Sequence, residues 1–509
     1  MARFKPYSYD QTKLIPVSYD RQILPNTFEY TLNEVIDSLD LALFTDRYRN
    51  DETGAPAYDP RILLKIVLFA YSKGVLYSRR IARLCTENIV FMALSADTHP
   101  HFTTIADFVS SMDEEIVAIF RHVVQICLEL DLIDGSMFAI DGVKLPSNAS
   151  KEWSGTKADL LKKKKKLEEA LSYMVKQHRK RDDTGMDTDN DADNFKKRLI
   201  RARNKIEKLE TWLAGNDDKV SSRCHTKQSN VTDNESAKIK SSQGVIQGYN
   251  GIAVVDSKRQ VIVNAEAFGQ GHDTDLLQPA IEGAKKNFTA IGINDDCLKG
   301  VVVSADTGFH STDNLHYLEK EEIDGYVPDC NFRKRDPRFT TAARFKPTDT
   351  DKQWGKSMFE NSDFTYKMEG DYYVCPAGNK LLYANSDLTT NNLTYYKYIA
   401  KLRDCGDCKL RPKCISHENP KRTRSLFRRS DGGNVYTSRM KEKIDTALGR
   451  LIYSKRMGIV EPVFGNIRSA KGMRRFALRG KSKVNIQWNL YCIVHNIEKI
   501  CNFGLPAFA

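Results

Sequence analysis

The sequence predicts a multidomain α/β protein: an N-terminal helical block, then a core of strands and helices that is interrupted twice. Three observations predict it. Apolar residues recur at helical spacing through most of 25–130. Two short apolar runs then each end in an acidic residue, Met137-Phe-Ala-Ile-Asp-Gly and Val301-Val-Val-Ser-Ala-Asp-Thr-Gly, as buried strands do where they reach an open sheet edge. Two stretches, 157–220 and 331–440, differ in composition from what surrounds them. The expected divisions are a helical block over 1–130, core segments over 131–156 and 221–330, a helical hairpin over 157–220, a cysteine-bearing segment over 331–440, and a helical tail over 441–509.

The helical block is the first element. Pro60-Arg-Ile-Leu-Leu-Lys-Ile-Val-Leu-Phe-Ala-Tyr has helical periodicity, and Pro60 suits a first turn. Ser78-Arg-Arg-Ile-Ala-Arg-Leu-Cys follows as a short basic amphipathic helix, and Thr103 is a plausible cap for the next. Short basic helices with tight turns resemble a helix-turn-helix reader, with Arg79, Arg80 and Arg83 as DNA contacts. The alternative is a plain helical scaffold with a solvated basic face.

A strand over 136–146 ends at Asp141. Between 157 and 214 the spacing becomes heptad-like, with Leu160, Leu167, Leu171 and Met174, then Leu199, Ile206, Leu209 and Leu213. This predicts two antiparallel helices joined by the acidic stretch that begins at Asp182. That stretch is no EF-hand: counted from Asp187, Ala192 stands where Gly is required and Arg198 where Glu is required. The lysine run 162–166 suits a solvated helix face. Val245 to Asp256 and Gln260 to Phe268 predict neighbouring strands, Asp275 begins a helix, and Lys299 to Asp306 is a further strand. Strand, hairpin, helix, strand is the order of a ribonuclease H-like core. The stretch 331–440 reads as polar and irregular, and 441–502 as helical.

Bulk composition narrows the chemistry. With 509 residues there is room for several domains, and 41% hydrophobic content with 23 Phe and 22 Tyr predicts a folded chain. No apolar run is long enough for a membrane span, and Met1-Ala-Arg-Phe-Lys-Pro lacks a signal-peptide core. Eleven cysteines without such a signal suggest a reducing, cytoplasmic setting, associated with the nucleoid when bound to DNA. The 78 Lys and Arg against 66 Asp and Glu give a net charge of +12, which suits a polyanionic partner.

Asp141, Asp306 and Glu461, the last in Ile459-Val-Glu-Pro-Val-Phe-Gly, are the candidate catalytic residues. Three carboxylates drawn together from distant segments make a hard oxygen site for Mg²⁺ or Mn²⁺. On a basic chain the matching reaction is phosphoryl transfer on nucleic acid. Arg456 and Arg468 flank Glu461 and would grip phosphates.

The chain resembles the DDE transposases of bacterial insertion sequences, in the branch with the "YREK" signature. The carrying residues are Tyr453, Arg456, Glu461 and Arg468, together with Ala139-Ile-Asp-Gly, Gly248-Tyr-Asn-Gly-Ile-Ala-Val-Val-Asp, Ser304-Ala-Asp-Thr-Gly-Phe and Val460-Glu-Pro-Val-Phe-Gly. The chain departs from the signature by one extra residue before the Glu and by Arg468 in place of Lys. The resemblance implies cleavage and joining of double-stranded DNA at transposon ends and target. It implies two divalent ions on Asp141, Asp306 and Glu461, DNA contacts from Tyr453, Arg456 and Arg468, and a homodimer on DNA. His272 and Asp273 are candidates to border the site, and Trp354 to hold a flipped base. A metal-dependent nuclease on the same core, or a catalytically silent DNA-binding protein, are the alternatives.

Cys375, Cys405, Cys408 and Cys414 form a second constellation. Cys-x2-Cys in a polar, glycine-bearing loop is a metal knuckle, and four thiolates suit structural Zn²⁺ or an iron–sulfur cluster. Four reduced cysteines in a loop is the plain alternative.

Overall fold

The computed structural model describes residues 18–40, 42–45, 56–182, 189–220, 226–241, 244–294, 296–339, 358–390, 393–415, 419, 421–430 and 433–504. The helical block contains α1 (Phe28–Asp37), α2 (Pro60–Ser72), α3 (Ser78–Glu87), α4 (Ile89–Leu94), α5 (Phe102–Ser110) and α6 (Glu115–Glu129). Local chemistry sets their starts. Thr27 accepts the Tyr30 N–H, Asp59 accepts the Arg61 N–H one residue before Pro60, and Asn88 accepts the N–H groups of Val90 and Phe91. Asn88 alone separates α3 from α4. In α2 every residue from Leu63 to Tyr71 is buried, Lys65 included, because its ammonium reaches Asp37 at 2.7 Å.

The next part of the chain is built on β1 (Met137–Pro146). Two long helices, α7 (Lys157–Asp182) and α8 (Asp189–Gly215), come next and pack on each other. Their shared core is small: Leu160, Leu209, Trp212 and Val231, with Trp153, Leu167 and Leu213 against it. Then come β2 (Ala237–Ser241), β3 (Gly244–Asp256), β4 (Ile262–Phe268), α9 (Leu277–Ala290), β5 (Val302–Ala305), α10 (Thr312–Lys320) and β6 (Asp324–Tyr326).

These strands form one mixed sheet in the order β6-β5-β1-β3, with both β2 and β4 paired to β3. β1 runs antiparallel to β3 and parallel to β5, and β5 runs parallel to β6. The long β3 serves two partners in turn. Its first half pairs with β2 and its second half with β4. The near-continuous burial of β3 from Gln247 to Asp256 follows from its central place, covered on both faces.

A second sheet is a correction to the sequence reading. The stretch expected to be irregular holds β7 (Thr365–Lys367), β8 (Tyr372–Val374), β9 (Lys380–Thr390), β10 (Leu393–Ala400) and β11 (Ser425–Arg429) in a five-stranded antiparallel sheet. Tyrosines build its core, with Tyr373 and Tyr398 edge-on at 5.1 Å and Tyr366 packed on both. Their rings supply apolar area while their hydroxyls read as polar in a sequence pattern. Tyr366 and Tyr398 both donate to Asp371, at 2.7 and 2.6 Å.

Three long helices follow the second sheet: α11 (Gly433–Asp445), α12 (Ala447–Gly465) and α13 (Lys481–Phe503). α13 is buried along most of its length and packs on α1, α2, α6 and β4. One hydrophobic core therefore runs from Leu32 of the helical block through the first sheet to Ile500. No helix among the described residues is long and apolar enough to cross a membrane.

Candidate active site

The register of β1 and β5 places two carboxylates side by side. Met137 pairs with Val302 and each following residue keeps step, up to Ile140 with Ala305. Asp306 follows the last residue of β5, and Asp141 follows Ile140 at the same level; the strand expected to end at Asp141 instead continues to Pro146, because β3 keeps pairing with it as far as Gly248. α12 lies across β1, β3 and β5 and turns Tyr453, Arg456, Val460 and Val463 inward, at helical spacings of three, four and three.

Arg456 binds both aspartates. Its Nη1 donates to Asp141 Oδ2 at 2.8 Å, and its Nη2 lies 3.6 Å from Asp306 Oδ1. Tyr453 Oη donates to Asp306 Oδ1 at 3.3 Å. Asp141 Oδ1 also accepts the Gly142 N–H at 2.8 Å. Burial pushes the Asp141 carboxyl above its ordinary range, against the pull of Arg456 and the Gly142 N–H. Burial works against the Arg456 charge, but Asp141, Tyr453 and Asp306 outweigh it and hold the guanidinium protonated. Burial likewise raises the Tyr453 phenol.

Glu461 leaves the same helix on its exposed side. With Gly142, Val143, Phe464, Gly465, Arg468, Ser469 and Arg474 it lines an open cleft of about 910 Å³. Arg468 stands on the π-helical turn Asn466–Ala470 that continues α12. Pro462 removes one N–H from α12, and the Gly458 carbonyl that would have accepted it takes the Gln260 side-chain amide at 2.9 Å instead. The helix thus runs past its proline and continues into the turn that brings Arg468 to the cleft beside Glu461.

Two neighbours shape the floor. A Cβ on Gly142 would come within 2.7 Å of Asn250 Oδ1, so glycine is what lets the strand pass under Asn250. Asn250 is fully buried and donates to Asp273, which also meets Lys144 at 3.3 Å. Asp273 packs against Gly308, two residues past Asp306, whereas His272 lines a separate cavity with Gly269 to Gly271. Sequence reasoning missed Asn250 and Lys144. The available signal was a buried amide in an otherwise apolar strand.

The donor set fits a divalent cation in one respect: two carboxylates on adjacent strands already converge on a single positive charge. Among the described residues no three His, Cys, Asp or Glu side chains form a metal site as they stand. Arg456 holds the position between Asp141 and Asp306, and Glu461 faces the cleft.

The other sequence candidates fall in two places. Cys375, Cys405, Cys408 and Cys414 are half-buried around one small cavity at the edge of the second sheet. Tight turns present them: the Cys375 N–H donates to the Asn379 carbonyl at 2.9 Å, the Gly378 N–H to the Cys375 carbonyl at 2.8 Å, and the Arg411 N–H to the Cys408 carbonyl at 2.9 Å. Burial raises the Cys414 thiol, Arg424 opposes this, and the other three thiols add to it. Arg79, Arg80 and Arg83 are exposed on α3. Arg79 stacks over the Phe102 ring at 4.2 Å, and Arg83 pairs with Glu87 at 2.6 Å. Trp354 lies outside the described residues.

Residues 374–501 match the family described as "Transposase DDE domain", a stretch that contains Glu461, Arg468 and all four of these cysteines. Residues 17–111 match "Transposase domain (DUF772)", which spans α1 to α5 and the three arginines of α3. No curated protein matches the chain. The two matches indicate a transposase of the DDE family.

Proposed function

We propose that this chain recognises the terminal inverted repeats of a mobile DNA element through its N-terminal helices. It then cleaves and joins double-stranded DNA at Asp141, Asp306 and Glu461. The observation that carries the reading is the level placement of Asp141 and Asp306 on two parallel strands, with Glu461 on the helix that crosses them. The strand order β6-β5-β1-β3-β4, in which β3 and β4 form a hairpin, supports a ribonuclease H-like core. The two long helices and the tyrosine-cored sheet then read as insertions into it. Tyr453, Arg456, Glu461 and Arg468 support the YREK branch, with the same two departures.

In this reading Asp141, Asp306 and Glu461 hold Mg²⁺ or Mn²⁺, which supplies the Lewis acidity for in-line displacement at phosphorus. The protein's own groups do the positioning. Arg468 and Arg474 border the cleft beside Glu461, where their charges would hold a phosphate strand against the carboxylates. Tyr453 holds Asp306 in place, and Arg456 bridges the two aspartates in the metal-free protein. Two ends must be held together for transposition, so the active complex is a homodimer on DNA. Cys375, Cys405, Cys408 and Cys414 bind a structural Zn²⁺ that staples a sheet whose buried apolar core, among the described residues, is six residues.

The test is incubation of the full-length protein with Mg²⁺ or Mn²⁺ and a duplex carrying an element end with its flanking DNA. Wild type is expected to cut at the boundary and to join the freed 3′-hydroxyl end to target DNA. Asp141→Ala, Asp306→Ala and Glu461→Ala are each expected to lose cutting by at least about a thousandfold. Cutting without joining would reduce the function to a nuclease. Specific binding with no cutting, the same in all four proteins, would remove the catalytic reading.

A further inference from the structure

Arg456 is seated where a cation belongs. It is 7% exposed, it touches Asp141 and Asp306 with different nitrogens, and its Nε has no partner. Its ring neighbour is Tyr453, 5.7 Å away, which itself holds Asp306. Asp141 and Asp306 come from segments far apart in the chain and are brought together by adjacent parallel strands. Without a cation the two carboxylates would repel in a half-buried setting, where charge is weakly screened. Glu461, one and a half turns along the same helix, stands apart from them on the cleft side. A divalent ion shared by Asp141 and Asp306 and a guanidinium bridging them ask for the same carboxylate oxygens.

We propose that Arg456 is an internal counter-ion of the metal-free protein, and that it must give up Asp141 and Asp306 for divalent cations to bind. The inference rests on the reading of these aspartates as metal ligands. The unpaired Nε makes the bridge an incomplete one, since a buried donor without an acceptor weakens the seat it occupies. Once displaced, the guanidinium keeps its charge and becomes available to a DNA phosphate, so that cation loading and grip on DNA are linked through one side chain.

The test uses full-length protein without DNA, titrated with Mn²⁺ by calorimetry and followed by thermal unfolding with chelator and with Mn²⁺. The proteins are wild type, Arg456→Gln, Arg456→Lys, Asp141→Asn and the double variant Asp141→Asn with Arg456→Gln. Arg456→Gln is expected to melt several degrees lower than wild type in chelator, to bind Mn²⁺ at least about tenfold more tightly, and to gain more from Mn²⁺ in melting temperature. Arg456→Lys keeps the charge on a compact head that cannot fork to two carboxylates. It is expected to bind Mn²⁺ more tightly than wild type by a smaller factor, and it decides the matter if the glutamine variant does not fold. Mn²⁺ affinities equal to wild type in both Arg456 variants, with binding lost in Asp141→Asn, would overturn the counter-ion role and leave the metal site standing. Binding unaffected by Asp141→Asn in either background would overturn the metal reading itself.

Discussion

The Trp488 indole N–H donates to the Ile252 carbonyl at 3.1 Å, and its ring lies flat under Gly251. Ile252 pairs with Gly142 and its neighbour Ala253 with Asp141. The buried face of α13 is therefore fastened to the sheet directly opposite Asp141. A Cβ on Gly251 would stand 3.0 Å from the Trp488 ring. Gly251→Ala should cost about 1–3 kcal/mol, seen as an earlier urea midpoint at unchanged slope. A midpoint equal to wild type would mean that the ring yields freely.

His495 is fully buried, and its two ring nitrogens are assigned by their partners. Nε2 lies 2.9 Å from the Gln260 carbonyl and so carries the proton, while Nδ1 accepts from the Asn466 amide at 3.0 Å. Burial pushes its pKa down to about 3. Unfolded chains bind a proton there below about pH 6.5 and the folded one does not, so stability should fall as pH drops from about 6.5 towards 3, by about 1.4 kcal/mol per pH unit. Glu498 beside it is held below its ordinary range, so its own loss begins only under about pH 4.5. Urea midpoints at pH 7, 6 and 5 should decline in wild type and much less in His495→Gln; parallel declines would assign the slope elsewhere.

The four cysteines predict a metal inventory. Protein purified without chelator should carry one Zn²⁺ per chain, and Cys408→Ser should carry little and show a sheet that is more easily cleaved by protease. Iron with acid-labile sulfide would assign a cluster instead. Four thiols that all react with a disulfide reagent in a metal-free chain would reduce the cavity to packing.

On α3, Arg80 is exposed, whereas Arg79 is stacked on Phe102 and Arg83 is paired with Glu87. If this face meets phosphates, Arg80→Ala should weaken binding to an element end and lower the salt-dependence slope by about 1. Arg79→Ala should add a loss of stability through the lost stacking. An unchanged slope in both would leave α3 as scaffold.

Legibility in the sequence followed the range of the interaction. Pro60 and Asp59 act within one turn, and the helix begins at Pro60 as its sequence suggests. Asp141 and Asp306 were visible because each follows an apolar run written in consecutive residues, although only the run before Asp306 ends its strand there. The side on which Tyr453 and Arg456 lie was not visible. The resemblance assigned them to DNA, and the structure turns them to the aspartates, a matter decided by residues well over a hundred positions away. The tyrosine sheet was missed because alternating Tyr and polar residues look hydrophilic until the rings pack on one another. Gln260 shows the same limit: its capture of the Gly458 carbonyl depends on a proline in another element.

The packing of α13 against α1, α2 and α6 carries a consequence for synthesis. Tyr71 of α2 meets Tyr491 of α13 with ring centroids 5.0 Å apart, so helices that leave the ribosome early wait for one that leaves late. Until then their apolar faces have no cover. A prematurely terminated chain would be left with an unfinished helical block.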